Sequence, residues 1–77
     1  MENNVANMVI AFPNETYVFS LEKALKKENI KSKIIPVPRS ISAGCGMALR
    51  VDKCYKNKCE EIIKNNNIKI DGIFFNL

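Results

Sequence analysis

The chain has 77 residues, fewer than the ~100 to 200 of an average domain, so we expect a single domain over residues 1–77 and exclude a second catalytic domain. Hydrophobic residues make up 47% and charged residues 26% of the chain, a composition typical of folded globular proteins and not of disordered or fibrous ones. The net charge is +4, but ten of the twelve cations are lysines, so the charge permits an anionic partner without identifying one.

The first third of the chain predicts a buried strand followed by an amphipathic helix. Residues 8–12 form an apolar run with β-branched residues at its centre, and Pro13 ends that run. Asn14 is a suitable N-cap for a helix over residues 15–28. Apolar side chains recur at helical spacing along one side of this segment, at Val18, Leu21 and Leu25.

Two strands are predicted on either side of a long connection. Residues 33–37 favour a strand, and Pro36 within it indicates an edge position. Residues 47–51 alternate between two faces, with their larger apolar side chains on one face and Arg50 on the other. Residues 38–46 lie between these strands, and this loop is longer than the ~2 to 5 residues of a typical hairpin connection. Long loops in small domains are often functional.

The last part of the chain predicts a second helix and a fourth strand. Asp52 is a suitable N-cap, and an apolar stripe follows it at Tyr55, Cys59, Ile62 and Ile63. Three asparagines at 65–67 end this helix, and residues 68–75 predict a strand. The resulting order, βαββαβ, predicts an α+β fold, a two-layer ferredoxin-like sandwich with both helices on one face of the sheet.

The cysteine and histidine content restricts the chemistry. The three cysteines, Cys45, Cys54 and Cys59, cannot close a disulfide framework, and the N-terminal residues lack the pattern of a signal peptide. We therefore expect a cytoplasmic, reducing location and no membrane span. Histidine is absent, which removes the commonest general base and leaves a three-thiol metal site one ligand short, so no metal is expected. Cys59 is predicted to be a core residue and Cys54 to be exposed.

The Gly44-Cys45-Gly46 triplet is the most informative local feature. A thiol between two glycines lies on a backbone that can take positive φ and that allows another molecule to come close. Arg39 and Arg50 flank it, and either guanidinium could stabilise a thiolate or bind an anionic group. The alternative interpretation is that the glycines make a turn and Cys45 is a small filler.

Nucleic acid is not an expected partner. The order βαββαβ is shared with RNA-recognition domains, but Ala43 stands where their third-strand motif has a cation, and Cys45 and Met47 stand where it has stacking aromatics. Phosphate-binding glycine loops, paired carboxylates and a Ser-His-Asp set are also missing from the sequence, so hydrolase chemistry has no support.

The segment 35–51 carries a specific pattern, IPVPR at residues 35–39 followed by ISAGCGMALR at residues 41–50. This pattern resembles the signature of the selenium/sulfur carrier protein-like family, and the likeness is strong over residues 8–51 and looser beyond. The resemblance implies a small carrier in which Cys45 holds sulfur or selenium as a persulfide or selenenylsulfide. It also implies that Arg39 and Arg50 occupy the motif's arginine positions. It assigns no role to Cys54 and Cys59.

Three hypotheses remain open at this point. The leading one is a carrier, an accessory protein rather than a stand-alone enzyme, that is loaded by a cysteine desulfurase-like donor and delivers to an unknown acceptor without a cofactor. The second is a non-catalytic module whose Gly44-Cys45-Gly46 loop binds a ligand or protein and whose thiol is incidental. The third is a redox sensor that uses a Cys45–Cys54 pair. In each case a homodimer would add to the thin core of so small a domain.

Overall fold

The computed structural model describes residues 7–40, 44 and 46–75. These residues form one antiparallel sheet of four strands and two helices, so the predicted α+β class is confirmed. The elements in chain order are β1 (Asn7–Ala11), α1 (Glu15–Lys27), β2 (Ser32–Pro36), β3 (Met47–Asp52), α2 (Lys56–Asn65) and β4 (Gly72–Phe75). Across the sheet the order is β2-β3-β1-β4, and each neighbouring pair is antiparallel. Neither helix combines the length and the apolar character that crossing a membrane would need, among the residues described.

The core lies between the sheet and the two helices, which contact each other on the same side of it. Alternate residues of a strand point to the same face, so β1 and β3 each direct every second side chain towards the helices. The helices contribute the apolar stripes predicted from their spacing. The buried side chains of this cluster include Met8, Ile10, Leu49 and Val51 from the sheet, Val18, Leu21 and Leu25 from α1, and Cys59 and Ile62 from α2.

Helix α1 begins and ends as its sequence predicts. The side-chain oxygen of Asn14 accepts a hydrogen bond from the backbone N–H of Thr16 at 2.9 Å, which satisfies one of the free amides of the first turn. At the other end Asn29 takes a left-handed φ of 60°, and the N–H of Ile30 donates to the carbonyl of Leu25 at 3.0 Å. This closure turns the chain back so that Ile30 is buried against the helix it has just left.

Helix α2 begins later than predicted. The side-chain oxygen of Asp52 accepts a hydrogen bond from the N–H of Cys54 at 3.0 Å, so Asp52 caps a short 3-10 helix, Lys53–Tyr55, and α2 follows it. A 3-10 helix has about three residues per turn, so the spacing of the α-helical stripe does not extend back into it. Tyr55 is accordingly exposed, and its predicted place on the buried stripe was wrong. Cys59 and Ile62 are buried as predicted.

Strand β4 is shorter than predicted because the chain between α2 and Gly72 closes the helix. Asn67 takes a left-handed φ of 54°, and the N–H of Ile68 donates to the carbonyl of Ile63 at 3.0 Å. Ile68 is therefore buried as part of the helix end, not as a strand residue. The chain returns to the sheet where the N–H of Asp71 donates to the carbonyl of Ala11 at 2.7 Å.

Strand β2 lies at one edge of the sheet and β4 at the other. Pro36 pairs with Met47 in the last register position of β2, which confirms the edge position predicted from the proline. On β3, Leu49 and Val51 belong to the helix-covered core, while Arg50 is exposed. The predicted alternation of β3 is therefore confirmed.

Candidate functional site

The candidate site lies in the β2–β3 connection, which we define as residues 37–46. Cys45, the predicted reactive residue, lies outside the described residues, and so do residues 41–43. The geometry of the site is therefore established from the residues that precede and follow Cys45 in the chain, Gly44 and Gly46, and from the parts of the molecule that they contact.

Gly46 anchors the end of the connection to its beginning. The N–H of Val37 donates to the carbonyl of Gly46 at 3.0 Å, which continues the β2–β3 pairing one step beyond Pro36 and Met47. Gly46 has a φ of 70°, in the left-handed region, and a Cβ built on it would meet no atom within 4 Å. Glycine is thus favoured here by the backbone conformation and not by lack of space.

Gly44 is required for the opposite reason. A Cβ built on Gly44 would collide with the carbonyl oxygen of Pro13, and the other nearest atoms also belong to the Pro13 backbone. The connection therefore packs backbone to backbone against the turn between β1 and α1. The sequence predicted that these glycines let another molecule come close, but the close approach observed at Gly44 is made by the chain itself.

This contact brings the connection to the N-terminal end of α1. Pro13 immediately precedes Asn14, the N-cap, so Gly44 packs against the backbone two residues before the first residue of the helix. The amides of a first helical turn carry a partial positive charge that favours anions and thiolates. Glu15 in the same turn carries a negative charge that opposes this effect. The contact with Pro13 could not be predicted from sequence, since it joins residues 31 positions apart and needs no side chain on Gly44.

The two arginines predicted at the site occupy different places. Arg39 is exposed in a turn within the β2–β3 connection. Arg50 is exposed on β3, three residues or roughly 10 Å beyond Met47 along the strand. Neither arginine forms an ion pair with another residue in the part of the chain that the structure describes.

The sheet places a third cation beside Arg50. Lys33 on β2 is the cross-strand partner of Arg50, and both point away from the helices. Like charges directly opposite each other are destabilising, so this exposed pair is a local concentration of positive charge. Lys33 was not identified from the sequence, because its pairing with Arg50 depends on the register of β2 and β3. Alternation along a strand gives the face of each residue but not its cross-strand partner.

The two described thiols have raised pKa values for different reasons. Burial raises the pKa of Cys59 to about 11, and the neighbouring Glu60 carboxylate adds to the increase. Cys54 is exposed, and its pKa is raised by local desolvation, by a side-chain hydrogen bond with Asp52 and by the charge of that carboxylate. Both side chains are thus held as neutral thiols at pH 7, which is the unreactive form.

No group of three cysteine, aspartate or glutamate side chains close enough to hold a metal ion occurs among the described residues. What this part of the molecule does offer is exposed positive charge, from Arg39 in the connection and from Lys33 and Arg50 on the sheet. Such groups bind anions and acidic protein surfaces.

Comparison with known proteins gives one match, to a family model. Searches of curated proteins and of solved structures find no significant match to the chain. Residues 7–74 match the model of the family described as "Putative Se/S carrier protein-like". This match spans both helices, the β2–β3 connection and the four strands except for Phe75, the last residue of β4. The chain therefore belongs to the Se/S carrier protein-like family.

Proposed function

We propose that this protein carries sulfur or selenium on Cys45 as a persulfide or selenenylsulfide. Membership of the Se/S carrier protein-like family supports the cargo. One structural observation supports Cys45 as the carrier residue: both of its chain neighbours are held by backbone contacts alone. Gly44 packs against Pro13, and Gly46 accepts a hydrogen bond from Val37. An anchor of this kind fixes the position of the main chain while using no side chain.

The other two thiols are poor acceptors, which favours Cys45 by elimination. A carrier thiol must be reached by a donor protein and must be partly ionised. Cys59 fails on both counts, because it is buried and its pKa is about 11. Cys54 is exposed, but Asp52 contributes to keeping it protonated. The raised pKa of Cys54 also counts against a redox sensor built on a Cys45–Cys54 pair.

Loading is a sulfur transfer without net oxidation. The Cys45 thiolate attacks the outer sulfur of a donor persulfide, a new S–S bond forms at Cys45, and the donor S–S bond breaks. The donor cysteine leaves as a thiolate, and the outer sulfur now on Cys45 keeps its proton. A selenium atom in the outer position transfers in the same way. The donor we propose is a cysteine desulfurase-like protein, and delivery to the acceptor repeats the step with the roles exchanged.

Two features of the site would favour the Cys45 thiolate. The contact of Gly44 with Pro13 brings the connection to the first turn of α1, where helix amides stabilise negative charge. Arg39, on the same connection, supplies a full positive charge that no described acid neutralises. Thiol pKa values fall by one to several units beside such groups, from a value of about 8.5.

We propose that Lys33 and Arg50 act in docking and not in the chemistry. Both lie on the sheet face away from the helices, and Arg50 lies roughly 10 Å along β3 from the end of the connection. Exposed charge of this kind mainly increases the rate of association with an acidic partner. We therefore expect Arg50→Gln to slow loading at low salt and to have little effect at high salt. Arg39→Gln should slow it at both salt concentrations.

We also infer that the two-layer fold is of the ferredoxin-like type and that the protein works in the cytoplasm. The order β2-β3-β1-β4 with helices after β1 and β3 supports the first inference. A Cys45 thiol that must stay reduced between delivery and the next loading supports the second, because the cytoplasm keeps thiols reduced.

The direct test is to incubate the protein with a cysteine desulfurase and cysteine and to measure its intact mass without reductant. We expect the mass of one sulfur atom to be added and to disappear on treatment with dithiothreitol. Peptide mapping should place the added atom on Cys45.

Matched single substitutions distinguish Cys45 from the exposed thiol of Cys54. Cys45→Ser should abolish loading, and Cys54→Ser should leave it unchanged, with circular dichroism confirming that both variants fold. A protein that acquires no sulfur, or a Cys45→Ser variant that loads as well as the original chain, would contradict the proposal. Retained binding of a ligand or protein by Cys45→Ser, without loading of the original chain, would instead favour the non-catalytic binding module.

A further inference from the structure

The two edges of the sheet are protected differently. An edge strand exposes unpaired backbone groups, and natural proteins protect such edges with lysine, proline or other polar residues. Strand β2 follows this rule, because it contains Lys33 and ends at Pro36. Strand β4 has the sequence GIFF, with no charge and no proline. Its only partner among the described strands is β1, so its outer edge is open there.

The side chains of β4 make both sides of this edge apolar. Phe75 pairs with Met8 and points to the helix side of the sheet, where it is 42% exposed. Phe74 pairs with Val9 and points to the opposite side, where it is partly exposed. Ile73 is on the same side as Phe75 and is packed against the core. A partner strand added at this edge would cover apolar surface above and below the sheet.

We propose that β4 pairs antiparallel with β4 of a second copy, which joins two four-stranded sheets into one. A twofold axis perpendicular to the sheet places the helix-covered faces of both copies on the same side of the joined sheet. A residue that points towards the helices can therefore pair only with a residue of the second copy that also points towards the helices. An axis at Phe74 places Phe74 opposite its equivalent and Ile73 opposite Phe75 of the second copy. An axis at Ile73 would place Asp71 opposite Phe75, which sets a charge against an aromatic ring.

Charge favours a second copy over a charged partner at this edge. Two copies with a net charge of +4 each repel one another in general, but β4 carries no charge that would add to this repulsion. An acidic or basic partner would find no complementary group on the strand. The apolar set is instead complementary to itself, as a twofold interface requires, and cross-strand aromatic and aliphatic pairs are favourable. Because only four residues pair, we expect a weak dimer with a Kd on the order of 10 μM.

Sedimentation equilibrium in the presence of reductant tests this proposal between about 1 μM and 1 mM. We expect a reversible monomer–dimer equilibrium of the 8.7 kDa chain. Phe75→Lys should raise Kd by at least about tenfold, because it places a charge in the apolar pair. Phe19→Lys is the matched control, since Phe19 is also an exposed phenylalanine (50%) but lies on α1, and it should leave Kd unchanged. If Phe75→Lys lowers the stability of the fold, Phe75→Thr takes its place in the test, because threonine retains strand propensity. Phe75→Thr should also weaken the dimer.

The register has a separate test. In the proposed dimer a cysteine at position 74 lies opposite its equivalent, within the distance of a disulfide. Phe74→Cys should therefore form a 74–74 disulfide under mild oxidant, identified by peptide mapping, while Phe19→Cys should give no 19–19 link. A chain that stays monomeric at about 1 mM, or a dimer insensitive to Phe75→Lys and Phe75→Thr, would overturn the interface. A dimer without the 74–74 link would overturn the register.

Discussion

The helix-covered core and the β2–β3 connection are held together in opposite ways. In the core, buried side chains from the sheet and both helices contact one another, and removing any large one leaves a cavity. The connection is attached by main-chain contacts at Gly44 and Gly46. The core therefore uses its side chains for stability, while the connection is anchored at these two glycines without side chains. Cysteine occurs in both regions, as Cys59 in the core and Cys45 in the connection.

The largest expected difference concerns thiol reactivity. Alkylation of Cys59 in the folded protein should be slower than in the unfolded chain by about a thousandfold or more, because the buried thiol reacts only after opening. Folding also raises its pKa from 9.0 to about 11, so the folded state holds this proton more tightly. The contribution of the Cys59 thiol to the free energy of unfolding is therefore complete below pH 9 and decreases as the pH rises from 9 to 11.

Alkylation with iodoacetamide over a range of pH, read at each cysteine by peptide mass spectrometry, measures this difference. The proposed carrier requires Cys45 to react fastest and with the lowest pKa. A Cys59 that reacts as fast as Cys45 in the folded protein would abolish the contrast between the two regions.

The next largest effect should come from the core. Leu49→Ala removes a fully buried side chain between the sheet and the helices and should lower the free energy of unfolding by about 3 kcal/mol. Phe19→Ala, at an exposed position, is the control and should change it by less than about 0.5 kcal/mol. Urea denaturation followed by circular dichroism measures both. Equal losses for the two variants would show that the buried cluster does not dominate stability.

Gly44→Ala should have the largest effect in the connection. The new Cβ would collide with the Pro13 carbonyl, and since both partners are backbone, the connection has to move. We expect a loss of about 2 kcal/mol in unfolding free energy together with slower sulfur loading at Cys45. An unchanged urea midpoint with unchanged loading would mean that this contact does not position the connection.

Gly46→Ala provides the sharper comparison within the connection. Its Cβ would meet nothing within 4 Å, so the cost comes only from the left-handed φ of 70° and should be about 1 kcal/mol. Gly46→Asn should cost less than Gly46→Ala, because asparagine tolerates this conformation better. If alanine and asparagine cost the same in urea denaturation, backbone conformation is not the reason for glycine here.

The smallest expected effect is at the exposed thiol of Cys54. Asp52→Asn keeps a side-chain oxygen that can cap the 3-10 helix but removes the carboxylate charge. The pKa of Cys54 should fall, because the hydrogen bond and the charge of Asp52 both raise it. Alkylation of Cys54 at pH 8 should become faster, by less than about tenfold. A rate that stays the same or falls would show that Asp52 does not suppress this thiol.

The elements that local sequence rules describe were predicted well. Asn14 and the stripe of Val18, Leu21 and Leu25 predicted α1 almost to the residue, because caps and helical spacing act within a few positions. The errors lie where two local signals compete. Asp52 capped a 3-10 helix before α2, and Asn67 and Ile68 closed the end of α2 where the start of β4 was predicted. In both places local hydrogen bonds decided between two outcomes that the sequence pattern allowed.

The sequence by itself determined the order of elements, the buried position of Cys59, the exposed position of Cys54 and the family, because each of these depends on the spacing of residues along the chain. The tertiary structure alone decided that Gly44 packs on Pro13, that Lys33 lies beside Arg50 and that β4 is an apolar edge with one partner, β1, among the described strands. Those features join residues far apart in sequence. They depend on which residues of two strands pair and on backbone packing, and the alternation within a single strand does not specify either one.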